Sequence, residues 1–140
     1  MGKKLTRSEL REAAFLILFR IDFYPPEEIE TQIRDFFDGE DGFSEDEKQQ
    51  IATKVLAVAK MSDEIDKVLD EISVGWKTKR MTKVDLTILR LAYYEIKYDD
   101  TVPVKAAINE AVELAKSYGT ENSSSFVNGI LAKVAKDEPK

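Results

Sequence analysis

The chain has no cysteine and no histidine among its 140 residues. The first absence excludes disulfides, thiolate nucleophiles and Cys-ligated zinc. The second removes the commonest general base and the commonest metal ligand. Glycine (6) and proline (4) are scarce, and the glycines never fall into a dinucleotide-binding or phosphate-cradling pattern. No serine or threonine has a histidine to activate it. Carboxylate pairs abound, but none is distinguished from an ordinary helix surface. The sequence therefore points to a binding module, not an enzyme, with no cofactor and no metal. Long apolar runs are absent too. The longest, Ala13 to Phe19, spans seven residues, against about twenty for a membrane helix. No secretory leader pattern opens the chain. The expectation is a soluble, cytoplasmic protein that meets no membrane, and the absence of cysteine agrees with that compartment.

What is present is ordinary globular material: 43% apolar and 34% charged residues. A chain of this length makes one domain and buries roughly 70% of the surface it exposes when unfolded. Strand signals are nearly absent and helix signals recur. Thr6 and Glu9 form a capping box before a helix with Leu10, Ala13, Ala14, Ile17 and Ile21 on one face. Its middle is apolar all round, as expected of a central helix. Tyr24-Pro25-Pro26 ends it, and Ile29, Ile33, Phe36 and Phe37 give the next stripe. The segment Asp38 to Phe43 reads as a solvated acidic loop. Ser44 and Glu47 form a second capping box, followed by Ile51, Val55, Val58 and Ala59. Ser62-Asp63-Glu64 marks a new start or a bend, and Gly75 breaks the pattern before a basic connector, Trp76 to Met81. Thr82 caps a helix with Asp85 three residues on and a stripe of Val84, Ile88, Leu91, Ala92 and Ile96. Pro103 opens another, whose core face runs from Val104 to Tyr118, and Gly119 sits where a C-terminal glycine cap belongs. A last helix carries Val127, Ile130, Leu131 and Val134, and the tail Asp137 to Lys140 reads as frayed. The fold class is all-α, with six or seven helices and no sheet.

The net charge of −6 argues against nucleic acid only until it is divided. Residues 1–20 carry +3, residues 21–72 carry −11 and residues 73–140 carry +2. At physiological salt the screening length is about 8 Å, so an acidic face elsewhere need not cancel a local basic one.

Three constellations fit single-stranded nucleic acid, in which cations hold phosphates and rings stack on bases. Lys4, Arg7 and Arg11 fall on one helical stripe, with Lys3 beside them and Phe15 and Phe19 further along. Lys105, Asn109, Val112 and Lys116 form a second stripe, in which asparagine can read a base edge. Phe126, Gly129 and Lys133 flank the last helix. Gly129 costs about 1 kcal/mol against alanine in mid-helix, so close approach by another backbone is expected there. Each set also reads as a solvated helix surface with core phenylalanines, and the residues alone leave both readings open.

A family resemblance separates them. The run Val102-Pro103-Val104-Lys105-Ala106-Ala107-Ile108-Asn109-Glu110-Ala111-Val112-Glu113-Leu114-Ala115-Lys116 closely resembles the NusB family of bacterial transcription antitermination factors. So do Tyr118-Gly119-Thr120-Glu121-Asn122 and Phe126-Val127-Asn128-Gly129-Ile130-Leu131. Leu89-Arg90-Leu91-Ala92-Tyr93-Tyr94-Glu95 is similar to that family's "LR-A--E" helix, and Arg7, Arg11, Ala14 and Leu18-Phe19 to its basic opening helix. The resemblance covers essentially the whole chain.

It implies a single NusB-like domain over residues 1–140, built as two small helical bundles sharing the first helix, about 1–75 and 76–136. It further implies binding of boxA, a single-stranded RNA element of ribosomal-operon transcripts. NusE, a small-subunit ribosomal protein, would bind with it, and the pair would join an RNA polymerase complex that suppresses termination in the bacterial cytoplasm. On that reading Lys3, Lys4, Arg7, Arg11, Phe19, Lys105, Asn109, Lys116 and Phe126 share an RNA-binding face. Thr82, Asp85 and Asn122 would lie on the NusE side. Some members of the family pair through the RNA surface, so a homodimer would be inhibitory. The chain departs from the family pattern at Phe19, often tyrosine, and at Asn122, often acidic. It also carries fewer arginines in the first ten residues. The net acidity and that thin basic opening motivate an alternative, a helical protein-interaction adaptor with little RNA binding of its own. A third reading, the NusB-like domain fused to RNA methyltransferases, is disfavoured because a chain ending at Lys140 leaves no room for a cofactor-binding domain.

Overall fold

The computed structural model describes residues 4–136. Among them are seven α-helices and no strand: α1 (Arg7–Ile21), α2 (Ile29–Asp38), α3 (Glu45–Lys60), α4 (Ser62–Ile72), α5 (Lys83–Tyr98), α6 (Val104–Tyr118) and α7 (Ser123–Lys136). Short 3-10 turns at Pro26–Glu28 and Thr78–Arg80 lead into α2 and α5. The all-α expectation holds, and no described helix is long and apolar enough to cross a membrane. Contacts divide the chain into two compact units, Met1–Lys60 and Met61–Lys140. The expected tail from Asp137 onward lies outside the described residues.

In the first unit α1 packs against α2 and α3. Its start is a complete capping box: Thr6 Oγ1 accepts from the Glu9 N–H at 3.1 Å, and Glu9 Oε1 accepts from the Thr6 N–H at 2.8 Å. Such a cap is worth about 1 kcal/mol. The apolar middle is buried over most of its surface, with Ala13, Ala14, Phe15, Ile17 and Leu18 covered and Leu16 and Phe19 partly exposed. α2 contributes Ile33 and Phe37, and α3 contributes Ile51, Val55 and Val58. The buried Gln32 amide is satisfied, accepting from Arg20 Nε at 2.8 Å and donating to Glu28 at 3.4 Å. Phe37 stands edge-on to Phe36 and Phe43, with centroids 5.3 and 5.2 Å apart. That packing ties the end of α2 to the loop before α3.

In the second unit α5 is the central helix, packed against α4, α6 and α7. The expected stripe of Ile88, Leu91, Ala92 and Ile96 is buried. A second stripe, Leu86, Leu89 and Tyr93, is buried as well. Each fully covered Leu or Ile contributes about 1.5–3 kcal/mol. Arg90 leaves this core sideways and grips Asp66 of α4 through two bonds of 2.8 and 2.6 Å. The basic connector is not loose. Thr78 donates its N–H to Asp70 Oδ1 at 2.6 Å, Lys77 Nζ donates to the Asp70 carbonyl at 2.7 Å, and the Arg80 guanidinium sits 4.9 Å above the Trp76 ring. Gly75, at φ 80°, makes the turn that a side chain would strain.

Two glycines behave differently from expectation. Gly119 ends α6 at φ −95°, ψ −165°, which is extended and not the left-handed cap. Its role is space: a Cβ there would lie 2.5 Å from Ser123 Cβ, 2.8 Å from the Ala115 carbonyl oxygen, and against Ser123 Oγ. The missing side chain lets the chain fold from α6 straight into α7. Gly129, expected to admit another backbone, has nothing within 4 Å of where its Cβ would be. Gly119→Ala should therefore lower stability by about 1–3 kcal/mol through overpacking. Gly129→Ala should raise it by about 0.5–1 kcal/mol through helix propensity. Denaturant midpoints of the two variants measure both, and shifts of the same sign would contradict this contrast in packing.

Candidate nucleic-acid interface

The first unit carries the basic opening. Lys4 and Arg7 are exposed, as the stripe predicts, while Lys3 lies outside the described residues. Arg11 differs, being only 9% exposed. The helical repeat explains it: Arg11 precedes Ala14 and Phe15 by one turn and Leu18 by two, and all three are buried. Because the covered arc of α1 is wide, a stripe that begins in solvent runs into the core one turn later. Phe19 is half-buried between Phe15, 6.3 Å away, and Phe23, 5.3 Å away and edge-on. Phe23 is 61% exposed, so this i, i+4 ladder climbs from core to solvent. Sequence reasoning missed Phe23, which the four-residue spacing from Phe19 would have found.

The polypeptide before α1 is held from outside the helix. Leu5 donates its N–H to Glu47 Oε2 at 2.9 Å, and Ser44 donates its N–H to Glu47 Oε1 at 2.9 Å. Ser44 Oγ in turn accepts from the Glu47 N–H at 3.1 Å. Glu47 is thus a capping-box residue with a second, distant client, and it is buried. Lys4, Arg7, Asp41, Asp46 and Gln50 line the surrounding groove. The Ser44 N–H, then the Leu5 N–H, hold the Glu47 carboxyl below its ordinary value of 4.5; the Lys4 charge adds to them, and together they outweigh burial.

The second unit carries the other stripe. Lys105, Asn109 and Lys116 are exposed on α6 and Phe126 is half-buried on α7. Asn109, Val112 and Lys116 line a groove whose far wall is Ser124, Ser125 and Asn128 of α7. Those three polar side chains escaped the sequence reading because nothing in their local pattern distinguishes them from a solvated helix face. The turn that makes α7 the far wall is the one at Gly119, locked by a bond from the Thr120 N–H to Ser123 Oγ at 2.9 Å. Lys116 Nζ lies 3.4 Å from Glu113, an exposed pair of the kind worth about 0–1 kcal/mol.

Of the residues expected on the partner side, Thr82 is exposed and caps α5, accepting from the Asp85 N–H at 3.1 Å. Asp85 is 8% exposed, and its Oδ1 is buried with no hydrogen-bond partner. A buried, unmatched carboxylate oxygen is costly within a lone chain. Asn122 is exposed just before α7, and its carbonyl accepts from the Phe126 N–H at 3.1 Å.

A carboxyl whose pKa falls on folding stabilises fully above its unfolded value and loses that contribution as pH falls through the folded one. The amide protection factors of Leu5 and Ser44 should therefore be level from about pH 7 to about pH 5 and fall below the usual carboxylate range. Hydrogen exchange at each pH measures them, and protection that fades already near neutrality would be inconsistent with a lowered Glu47.

The family model of the NusB family matches residues 8–136. The transcription antitermination protein NusB of Agathobacter rectalis is 49% identical over 131 residues, which is 94% of this chain and 100% of that protein. The protein of the same name from Lachnoclostridium phytofermentans is 49% identical over 93% of this chain and 98% of its own length. Among solved structures, T. maritima NusB aligns with a TM-score of 0.88 at 33% identity, over 99% of this chain and 96% of that one. A crystal structure of antitermination factors NusB and NusE in complex with dsRNA aligns at 0.79 and 24% identity, over 93% of this chain and 96% of that one, a likeness of fold.

Proposed function

Since the chain belongs to the NusB family, we propose that it is a transcription antitermination factor that binds boxA-type single-stranded RNA together with NusE. The pair joins an RNA polymerase complex and suppresses termination, notably in ribosomal RNA operons of a bacterial cytoplasm. Binding alone does this work, with no catalysis, cofactor or metal. The observation that supports it most is identity of 49% along the full length of a relative so named.

The chemistry of the two units fits. Exposed Lys4, Arg7, Lys105 and Lys116 neutralise phosphates. Phe19 and Phe126, each half-buried, offer ring faces or edges to bases, and Asn109 offers an amide to a base edge. Arg11, being buried, contributes less direct contact than the stripe implied. On the partner side, Asp85 would present to NusE the accessible edge it keeps at the start of α5, its Oδ1 being buried. Thr82 and Asn122 flank that role. NusE then raises RNA affinity by adding a second surface to the first.

Labelled boxA RNA should bind more tightly with NusE than without it, and a scrambled strand should not gain. Arg7→Ala and Lys105→Ala should each weaken binding and reduce the log–log salt slope by about 0.7, the single-strand value per phosphate. Unchanged slopes would move the RNA to another face. A chain that binds NusE but gains no RNA would be the adaptor instead, a reading that the −11 charge of residues 21–72 favours. Asp85→Asn should weaken NusE binding about tenfold or more if a charged donor meets it there. A calorimetric titration giving wild-type affinity would remove Asp85 from the partner surface.

A further inference from the structure

We propose that Glu47 is a positioning residue for RNA binding, holding the basic segment before α1 in a fixed course through the Leu5 N–H. This rests on the reading that Lys4 meets a phosphate. Chain segments before a first helix ordinarily fray, because no helical bond reaches them. Here two successive backbone N–H groups are taken by glutamates: Thr6 by Glu9 at 2.8 Å and Leu5 by Glu47 at 2.9 Å. The first is local. The second joins residues 42 apart in sequence, and its carboxylate is itself anchored by Ser44 at the start of α3. Lys4 directly precedes Leu5, so fixing the Leu5 amide fixes where that cation stands, while Arg7 is already the first residue of α1.

The arrangement matters more here than in a chain with many arginines. Few cations precede α1, and ordering them in advance removes that cost from the binding step. The groove around them also holds Asp41 and Asp46. A released segment would find those carboxylates within the same groove, in competition with phosphate. The lowered Glu47 carboxyl keeps the acceptor ionised at neutral pH.

Glu47→Gln separates this role from helix capping. Glutamine serves a capping box as glutamate does, accepting from the Ser44 N–H through its one carbonyl oxygen. Its amide nitrogen would then face the Leu5 N–H, donor against donor. Leu5→Pro deletes the N–H from the other side and leaves α3 untouched. Both variants should bind boxA RNA about 5–10-fold more weakly in the presence of NusE, with NusE affinity and helical content unchanged. In Glu47→Gln the Leu5 amide should exchange faster. The loss caused by Lys4→Ala should shrink in the Glu47→Gln background, because a mispositioned segment no longer delivers that cation, and a double-mutant cycle reads this coupling. Additive losses, or wild-type RNA affinity in both variants while Lys4→Ala weakens binding, would overturn the proposal and leave the RNA reading standing. No gain of boxA RNA binding by the wild-type chain with NusE would overturn both.

Discussion

The first N–H groups of an α-helix have no partner within the helix, and meeting that demand governs much of this protein. Three helix starts answer it with a hydroxyl placed three residues before a carboxylate: Thr6 and Glu9, Ser44 and Glu47, Thr82 and Asp85. Each also stands beside a residue proposed for recognition. The first precedes the Arg7 turn. The second reaches out to the Leu5 amide. The third leaves a buried carboxylate oxygen over. A chain without cysteine or histidine has few other means of locking polar groups in place, and it uses the same small device for folding and for presenting its surface.

Helix existence was legible because apolar spacing and caps agree along the whole chain. Ser62 opens a separate helix and is not a bend, a distinction spacing alone left open. Burial was legible only where a helix has one covered face. α1 and α5 are covered on more than one, so Arg11 lies in the core although its stripe begins in solvent, and Leu86, Leu89 and Tyr93 join the core beside the stripe that was expected. Glycine was the least legible residue. The pattern assigns Gly119 a conformational role and Gly129 a packing role, and the structure shows packing at Gly119 and open space at Gly129. Neither follows from local sequence, because both depend on which atoms from another turn or helix stand opposite. The same limit hid the Leu5–Glu47 bond, which spans 42 residues.

The family motifs separate into parts that build and parts that face outward. Within Leu89 to Glu95, leucines 89 and 91, Ala92 and Glu95 are buried, and Arg90 is committed to Asp66. That stretch holds the second unit together. Within Lys105 to Lys116 the same helix keeps Ala107, Ala111, Leu114 and Ala115 inward and Lys105, Asn109 and Lys116 outward. The long resemblance therefore mixes residues that pack the core with residues that face solvent, and only burial tells them apart.

The ion pair between Lys116 and Glu113 has a consequence for counting phosphate contacts. Both side chains are largely in water, 60% and 67% exposed, and separated by 3.4 Å. A phosphate arriving at Lys116 displaces a resident carboxylate, which stays tethered to the same helix turn. The entropic reward that makes nucleic-acid binding salt-sensitive comes from freed ions. Those ions are the cations condensed on the nucleic acid, so Lys116 still counts in the slope when it meets a phosphate, while exchanging one oxyanion partner for another trims the affinity it adds, and slope and affinity part company at this position.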